Sequence, residues 1–124
     1  MNARVYVVDD DESVRKALAR MFRTSGWEVS SFASGVDFLD AELSDEPACL
    51  VLDVRMPGLS GLEVQDQLRS HHADLPIIFM TAHGDQHTRD RAMDGGAVEF
   101  LLKPVVDDEL MNTVRRAIEA QANV

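Results

Sequence analysis

At 124 residues, 45% of them hydrophobic, the chain is sized for one domain with one core. No apolar run approaches a membrane span and no charged-then-apolar leader opens the chain, so the expectation is a soluble, cytoplasmic protein without a membrane partner. A net charge of −10 argues against direct nucleic acid binding and suits a domain that attracts cations or basic protein surfaces.

Val5-Tyr6-Val7-Val8 is a short β-branched run that reads as a first strand and stops at Asp9-Asp10-Asp11. Beyond it the period changes. Val14, Ala17, Leu18, Met21 and Phe22 recur at i, i+3, i+4, i+7 and i+8, one face of an amphipathic helix. The aspartates sit at its start, where they can cap it and face the positive end of its dipole. Ser25-Gly26 stops it. Residues 27–32 alternate as an edge strand does, and Ser34 with Asp37 opens a second helix expected to run through Leu43. Residues 44–47 form a polar connection. Cys49 to Leu52 is an unbroken apolar run, the pattern of a strand buried on both faces. Its lone cysteine reads as a small buried hydrophobe, with no disulfide available inside the chain.

That strand runs straight into Asp53 and a Pro57-Gly58 turn. Ser60 and Glu63 have the spacing of a capping box for a third helix to about His71. Ile77-Ile78-Phe79-Met80 is a fourth strand, handing over to Thr81-Ala82-His83-Gly84. The helix expected over Gln86–Asp94 has only Ala92 and Met93 as apolar residues and should be the least stable element. Gly95-Gly96 closes it. Residues 98–102 form a fifth strand before Lys103-Pro104, and Leu110, Met111, Val114, Ala117 and Ile118 line one side of a last helix.

Five strands alternating with five helices, joined by crossovers long enough for right-handed βαβ units, predict an α/β fold with a doubly wound parallel sheet. In such a sheet the carboxyl ends of the strands share one edge, where sites form. Those ends carry residues a core would not choose: Asp9 and Asp10, Asp53, Thr81 and Lys103. Each alone has a plainer reading, with Asp10 or Asp11 as a helix cap, Thr81 as a turn residue and Lys103 as a solvated loop lysine. At successive strand ends they read together as a site. Two carboxylates about 4 Å apart repel by roughly 4 kcal/mol at an effective dielectric near 20. The cluster therefore wants counter-charge, from Lys103 and from a divalent metal. An all-oxygen donor set points to magnesium. Magnesium, a nucleophilic carboxylate at Asp53, an ammonium and a hydroxyl suit phosphoryl transfer, which needs positioning and charge neutralisation more than a histidine base. His83 and His87, four apart, have a spacing that could hold zinc, but two surface histidines on a polar helix are the preferred reading.

Val8-Asp9-Asp10-Asp11, Leu52-Asp53-Val54-Arg55-Met56-Pro57 with Gly61, Thr81-Ala82 and Phe100-Leu101-Leu102-Lys103-Pro104 together resemble the motif set of response-regulator receiver domains of two-component signalling. The Thr-Ala-His-Gly-Asp stretch and Arg55 look most like FixJ-type receivers, which usually precede a LuxR-type helix-turn-helix. The resemblance spans nearly the whole chain. It implies a flavodoxin-like (CheY-like) five-stranded parallel sheet of order 2-1-3-4-5, with residues 1–124 as the receiver and any C-terminal DNA-binding output domain lying outside this chain. It implies that Asp53 takes a phosphoryl group from a sensor histidine kinase. Magnesium, with manganese as an alternative, would be held by Asp10, Asp53 and the backbone carbonyl of Arg55, with Asp9 acting through water.

The resemblance further implies that Lys103 pairs with the acceptor, that Thr81 hydrogen-bonds the arriving phosphoryl group and that Ala82 leaves room for it. Arg55 and His83 would tune its lifetime. The Lys103-Pro104 bond would be cis. The family's switch aromatic falls on Phe100, whose inward position would be set by packing alone because phenylalanine has no hydroxyl. Thr81 would move, Phe100 would fill the space, and the face of fourth helix, fifth strand and fifth helix would become the homodimer or partner surface. The chain would catalyse only its own phosphoryl transfer and autodephosphorylation.

Three rivals are weaker. A haloacid dehalogenase-type phosphatase wants an aspartate two residues after its nucleophile, where this chain has Arg55. A flavin-binding domain wants a hydroxyl- and glycine-rich loop where this chain has three aspartates. An unphosphorylated interaction module would lack the acceptor, a metal aspartate or the lysine, and none is missing.

Overall fold

The computed structural model describes residues 2–122. β1 (Arg4–Val8) leads into α1 (Glu12–Thr24), β2 (Glu28–Phe32), α2 (Gly35–Asp40), β3 (Ala48–Leu52) and α3 (Gly61–His71). β4 (Ile77–Thr81), α4 (Gln86–Asp94), β5 (Glu99–Leu102) and α5 (Asp107–Ala122) complete the alternation. The strands pair in the order β2-β1-β3-β4-β5 and every pairing is parallel, as the sequence led us to expect. No helix among the described residues is long and apolar enough to cross a membrane.

Side chains alternate along a strand, so the central strands feed a core on each face of the sheet. Tyr6, Leu50, Leu52 and Phe79 pack with Phe38, Val64 and Leu68 beneath α2 and α3. Val7, Val51, Ile78 and Leu101 pack with Leu18, Phe22, Val114 and Ile118 beneath α1 and α5. β3 and β4 are buried at every residue, as unbroken apolar runs require, while β2 at the edge has no fully buried residue. Cys49 lies inside β3, and burial pushes its thiol far above the ordinary value.

The helix starts follow their capping residues. Asp11 caps α1 by accepting from the N–H groups of Ser13 and Val14, Ser34 caps α2, and Ser60 with Glu63 forms the expected capping box on α3. Two details differ from expectation. α2 ends at Asp40, with Ala41 already extended, and does not run through Leu43. The chain after it is drawn across the floor of the sheet instead, where the Ser44 N–H donates to the Tyr6 hydroxyl at 3.0 Å and Glu46 pairs with Arg4 at 2.9 Å. On α1, Ala19 is buried and Ala17 exposed, because the helix covers β2 as well as β1.

α4 buries only Ala92 of its own residues, so polar contacts must hold it. The buried Gln65 of α3 donates from Nε2 to the Ala92 carbonyl at 2.9 Å. Gly95, at the end of α4, rests on that same amide; a Cβ there would come within 2.9 Å of it. Gly95→Ala should therefore lower stability by about 1–3 kcal/mol in urea denaturation. The loss should be smaller in a Gln65→Ala background, and equal losses in both backgrounds would show the two sites to be uncoupled.

Candidate functional site

Strand register decides which residues meet. Val8 is level with Leu52, so Asp9 and Asp53, the next residues of each chain segment, emerge side by side at the carboxyl edge. Thr81 is level with Leu102, and Lys103 leaves β5 one residue later. The Asp53 N–H donates to the Val8 carbonyl at 3.0 Å and the Lys103 N–H to the Thr81 carbonyl at 2.8 Å, which carries the sheet one rung into the site. Gly61 lets α3 start against the back of Asp53, because a Cβ there would collide with the Asp53 carbonyl oxygen.

Lys103 reaches back across this edge. Its Nζ lies 2.8 Å from Asp9 Oδ2 and 3.5 Å from Asp53 Oδ2, so its nearer partner is Asp9. Asp9 is buried and both of its carboxylate oxygens are engaged, Oδ1 accepting from the Asp11 N–H at 2.9 Å and Oδ2 from Lys103. Arg15 of α1 brings a second cation to the edge by donating to the Asp9 carbonyl at 2.8 Å. Arg15 lies one helical turn after the cap residue Asp11, and nothing in the local sequence pattern marks it as reaching this edge.

Asp53 is buried as well. Burial raises its carboxyl above the usual carboxylate range, and the charge of Asp9 adds to that while Lys103 opposes it. For Lys103, burial pulls the ammonium down, but its hydrogen bond to Asp9 and the charges of Asp53 and Asp9 outweigh this and hold it above the ordinary lysine value. Asp10 is exposed. Carboxylate oxygens of Asp9, Asp10 and Asp53 all lie within 4.8 Å of one another, the one such group of three metal-ligating side chains among the described residues. Three carboxylates against one ammonium and the Arg15 guanidinium leave the edge net negative, and the donors are all oxygen. That donor set fits a hard divalent cation such as magnesium.

The other expected positions are nearby in the fold. Thr81 is fully buried, its Oγ1 accepting from the His83 N–H at 3.2 Å, so it also plays the turn role. Arg55, Ala82 and His83 are exposed on the loops that follow β3 and β4. The Lys103-Pro104 peptide is cis. Phe100 is buried with its ring centroid 6.2 Å from that of Phe79. Its surroundings are not purely apolar, since the guanidinium of Arg89 lies 6.0 Å from its ring centroid.

A parallel sheet in this strand order, with acids and a lysine gathered at the carboxyl edge, is the architecture of a signal-receiving phosphoacceptor domain. Residues 5–115 match the family model described as the response regulator receiver domain, and the chain belongs to that family. Within it the chain is a FixJ-type receiver. It is 50% identical over 117 residues to nodulation protein W of Bradyrhizobium diazoefficiens, covering 94% of this chain and 52% of that protein. It is 42% identical over 118 residues to the transcriptional regulatory protein FixJ of Azorhizobium caulinodans, covering 95% and 56%. The solved response regulator StyR superposes with a TM-score of 0.90 at 42% identity, over 99% of this chain and 62% of that one. The chain thus spans about half the length of the curated relatives it matches. Receiver domains of two-component regulators bind magnesium, interact with histidine kinases and are regulatory phosphoacceptors rather than conventional enzymes.

The raised carboxyl of Asp53 has a consequence for stability. Its folded-state value lies above the unfolded one, so the fold favours the protonated form. The ionised group costs stability, fully at pH above the raised value, and the cost disappears as pH falls below the unfolded value. Asp53→Asn should therefore melt higher than the native chain near pH 7 without magnesium. The gap should close toward about pH 3, below the ordinary carboxylate value. Circular dichroism melts of both proteins check this, and a native chain at least as stable as the variant near pH 7 would contradict it.

Proposed function

We propose that Asp53 is the phosphoacceptor of this receiver and that a sensor histidine kinase is its phosphodonor. The observation that carries the reading is the unequal treatment of the three acids. Asp9 has both oxygens committed to Lys103 and the Asp11 N–H, whereas Asp53 has a longer contact to the same ammonium. An Asp53 carboxylate oxygen attacks the phosphorus of a phosphohistidine, forming the acyl phosphate P–O bond as the P–N bond breaks. The imidazole leaves with the bonding pair and takes its proton from solvent.

In this reading Asp10, Asp53 and the Arg55 carbonyl, with Asp9 through water, would hold magnesium or manganese, which would supply charge neutralisation for the phosphoryl oxygens. Lys103 neutralises a further oxygen. Thr81 donates its hydroxyl proton to the bound phosphoryl group, Ala82 keeps the approach open, and Arg55 and His83 at the loop rims govern water access and therefore autodephosphorylation. The cytoplasm is the compartment in which a histidine kinase would meet this acceptor.

The response is proposed to travel through Thr81 and Phe100 to the face of α4, β5 and α5, the homodimer surface. Exposed apolar side chains of Met93, Val98, Leu102 and Val106 on this side of the molecule support that reading. Residues 1–124 act as the receiver; the relatives are about twice as long, which leaves room for a further domain, and we assign that domain as a C-terminal DNA-binding output domain that controls transcription. DNA contact would belong to that domain, since this one carries a net charge of −10.

Incubation with phosphoramidate and magnesium, read by intact mass, tests the assignment. The native chain should gain one phosphoryl group and Asp53→Asn none; equal gain in both would remove Asp53 from the role. Asp10→Ala should weaken magnesium binding on the order of tenfold or more, since a direct carboxylate ligand is lost. Unchanged affinity by calorimetric titration would count against that ligand set.

A further inference from the structure

We propose that Arg89 is a positioning residue for Phe100, clasping the ring from α4 so that α4 and β5 respond to the acceptor site as one unit; this rests on the phosphoacceptor reading above. The clasp is built from three contacts made by one guanidinium. Nη1 donates to the Phe100 carbonyl at 3.2 Å, Nη2 lies 3.9 Å from Glu99 Oε1, and the Cζ atom sits 6.0 Å from the Phe100 ring centroid. Glu99 closes the loop by accepting from the Phe100 N–H at 3.1 Å. Two consecutive residues of β5 are thus held by one side chain from the neighbouring helix.

The position of that helix gives the contact its weight. α4 buries only Ala92, so little apolar packing fixes it. On its α3 side it is tied by Gln65, and on its β5 side by Arg89. Above the ring the loop after β4 comes so close that a Cβ at Gly84 would lie 2.7 Å from Phe100 Cε1 and would collide with Leu102 Cδ2. Gly84 is three residues beyond Thr81, so a shift of that loop presses directly on Phe100. A phenylalanine has no hydroxyl to anchor its far end. Arg89 supplies the polar anchor through the backbone and the ring face instead. Arginine suits this because its planar fork can address a carbonyl and a carboxylate while stacking on an aromatic, which a lysine cannot do together.

The test uses native chain, Arg89→Met and Arg89→Lys, each with and without phosphoramidate and magnesium. Arg89 is half exposed, so both variants should fold. Without phosphoramidate, amide exchange in the Gln86–Asp94 segment should be about fivefold faster in Arg89→Met, the net scale of one half-exposed hydrogen bond. Arg89→Lys should lie between the two. All three should take up the phosphoryl group to the same extent by mass. On loading, the native chain should change exchange in both the Gln86–Asp94 and Glu99–Leu102 segments. In Arg89→Met the change should stay in one segment and leave the other as it was. If the native chain fails to take up the phosphoryl group, the phosphoacceptor reading fails. If it loads and Arg89→Met matches it in basal exchange and in the paired response, the clasp alone is overturned.

Discussion

The Lys103 ammonium is the contact on which the rest of the site depends. It crosses from the end of β5 to two acids that follow β1 and β3, closing an edge that would otherwise hold three carboxylates with only the Arg15 side chain nearby, itself spent on a main-chain carbonyl. A parallel sheet makes that possible, because it delivers every strand's carboxyl end to the same side. The ammonium and the Arg15 guanidinium do not balance three carboxylates, and that shortfall suits the edge to a divalent cation. The arrangement is a compromise between stability and use. Asp53 sits where burial penalises its charge, and the apolar strand behind it, buried at every residue, tolerates that cost.

The division of labour among the aspartates follows from local geometry. Asp11 is spent on capping α1, and Asp9 is spent on Lys103 and on the turn that follows it. Asp10 faces solvent, open to a hydrated metal. Asp53 alone combines burial, a neighbouring ammonium and a longer, weaker contact to it. These differences arise from a run of three consecutive acids and one distant acid, residues that composition treats as equivalent.

Much of this was legible in the sequence, and the reasons are physical. The unbroken apolar runs of β3 and β4 can only be strands buried on both faces, and they fix where Asp53 and Thr81 emerge. Ser60 and Glu63 announce their helix by side-chain chemistry alone. What local pattern could not supply were contacts set by tertiary placement. α2 stops early because Tyr6 and Arg4, far away in the chain, claim the residues after it. Ala19 replaces Ala17 in the core because α1 leans over an edge strand. Lys103 was placed correctly at the edge, but its preference for Asp9 depends on a difference of less than an ångström that no spacing rule encodes. Arg89 was invisible for a related reason: on a polar helix an arginine reads as a solvated charge until the fold shows the ring beneath it.

Of three neighbouring carboxylates, Asp53 is the one proposed to form the acyl phosphate. Borohydride reduces an acyl phosphate to the alcohol, so loading the native chain with phosphoramidate and magnesium, reducing it and mapping peptides by mass spectrometry locates the bond at a single residue. Homoserine should appear at position 53, with unmodified aspartate at positions 9 and 10. Homoserine at position 9 or 10, with aspartate intact at 53, would contradict that assignment.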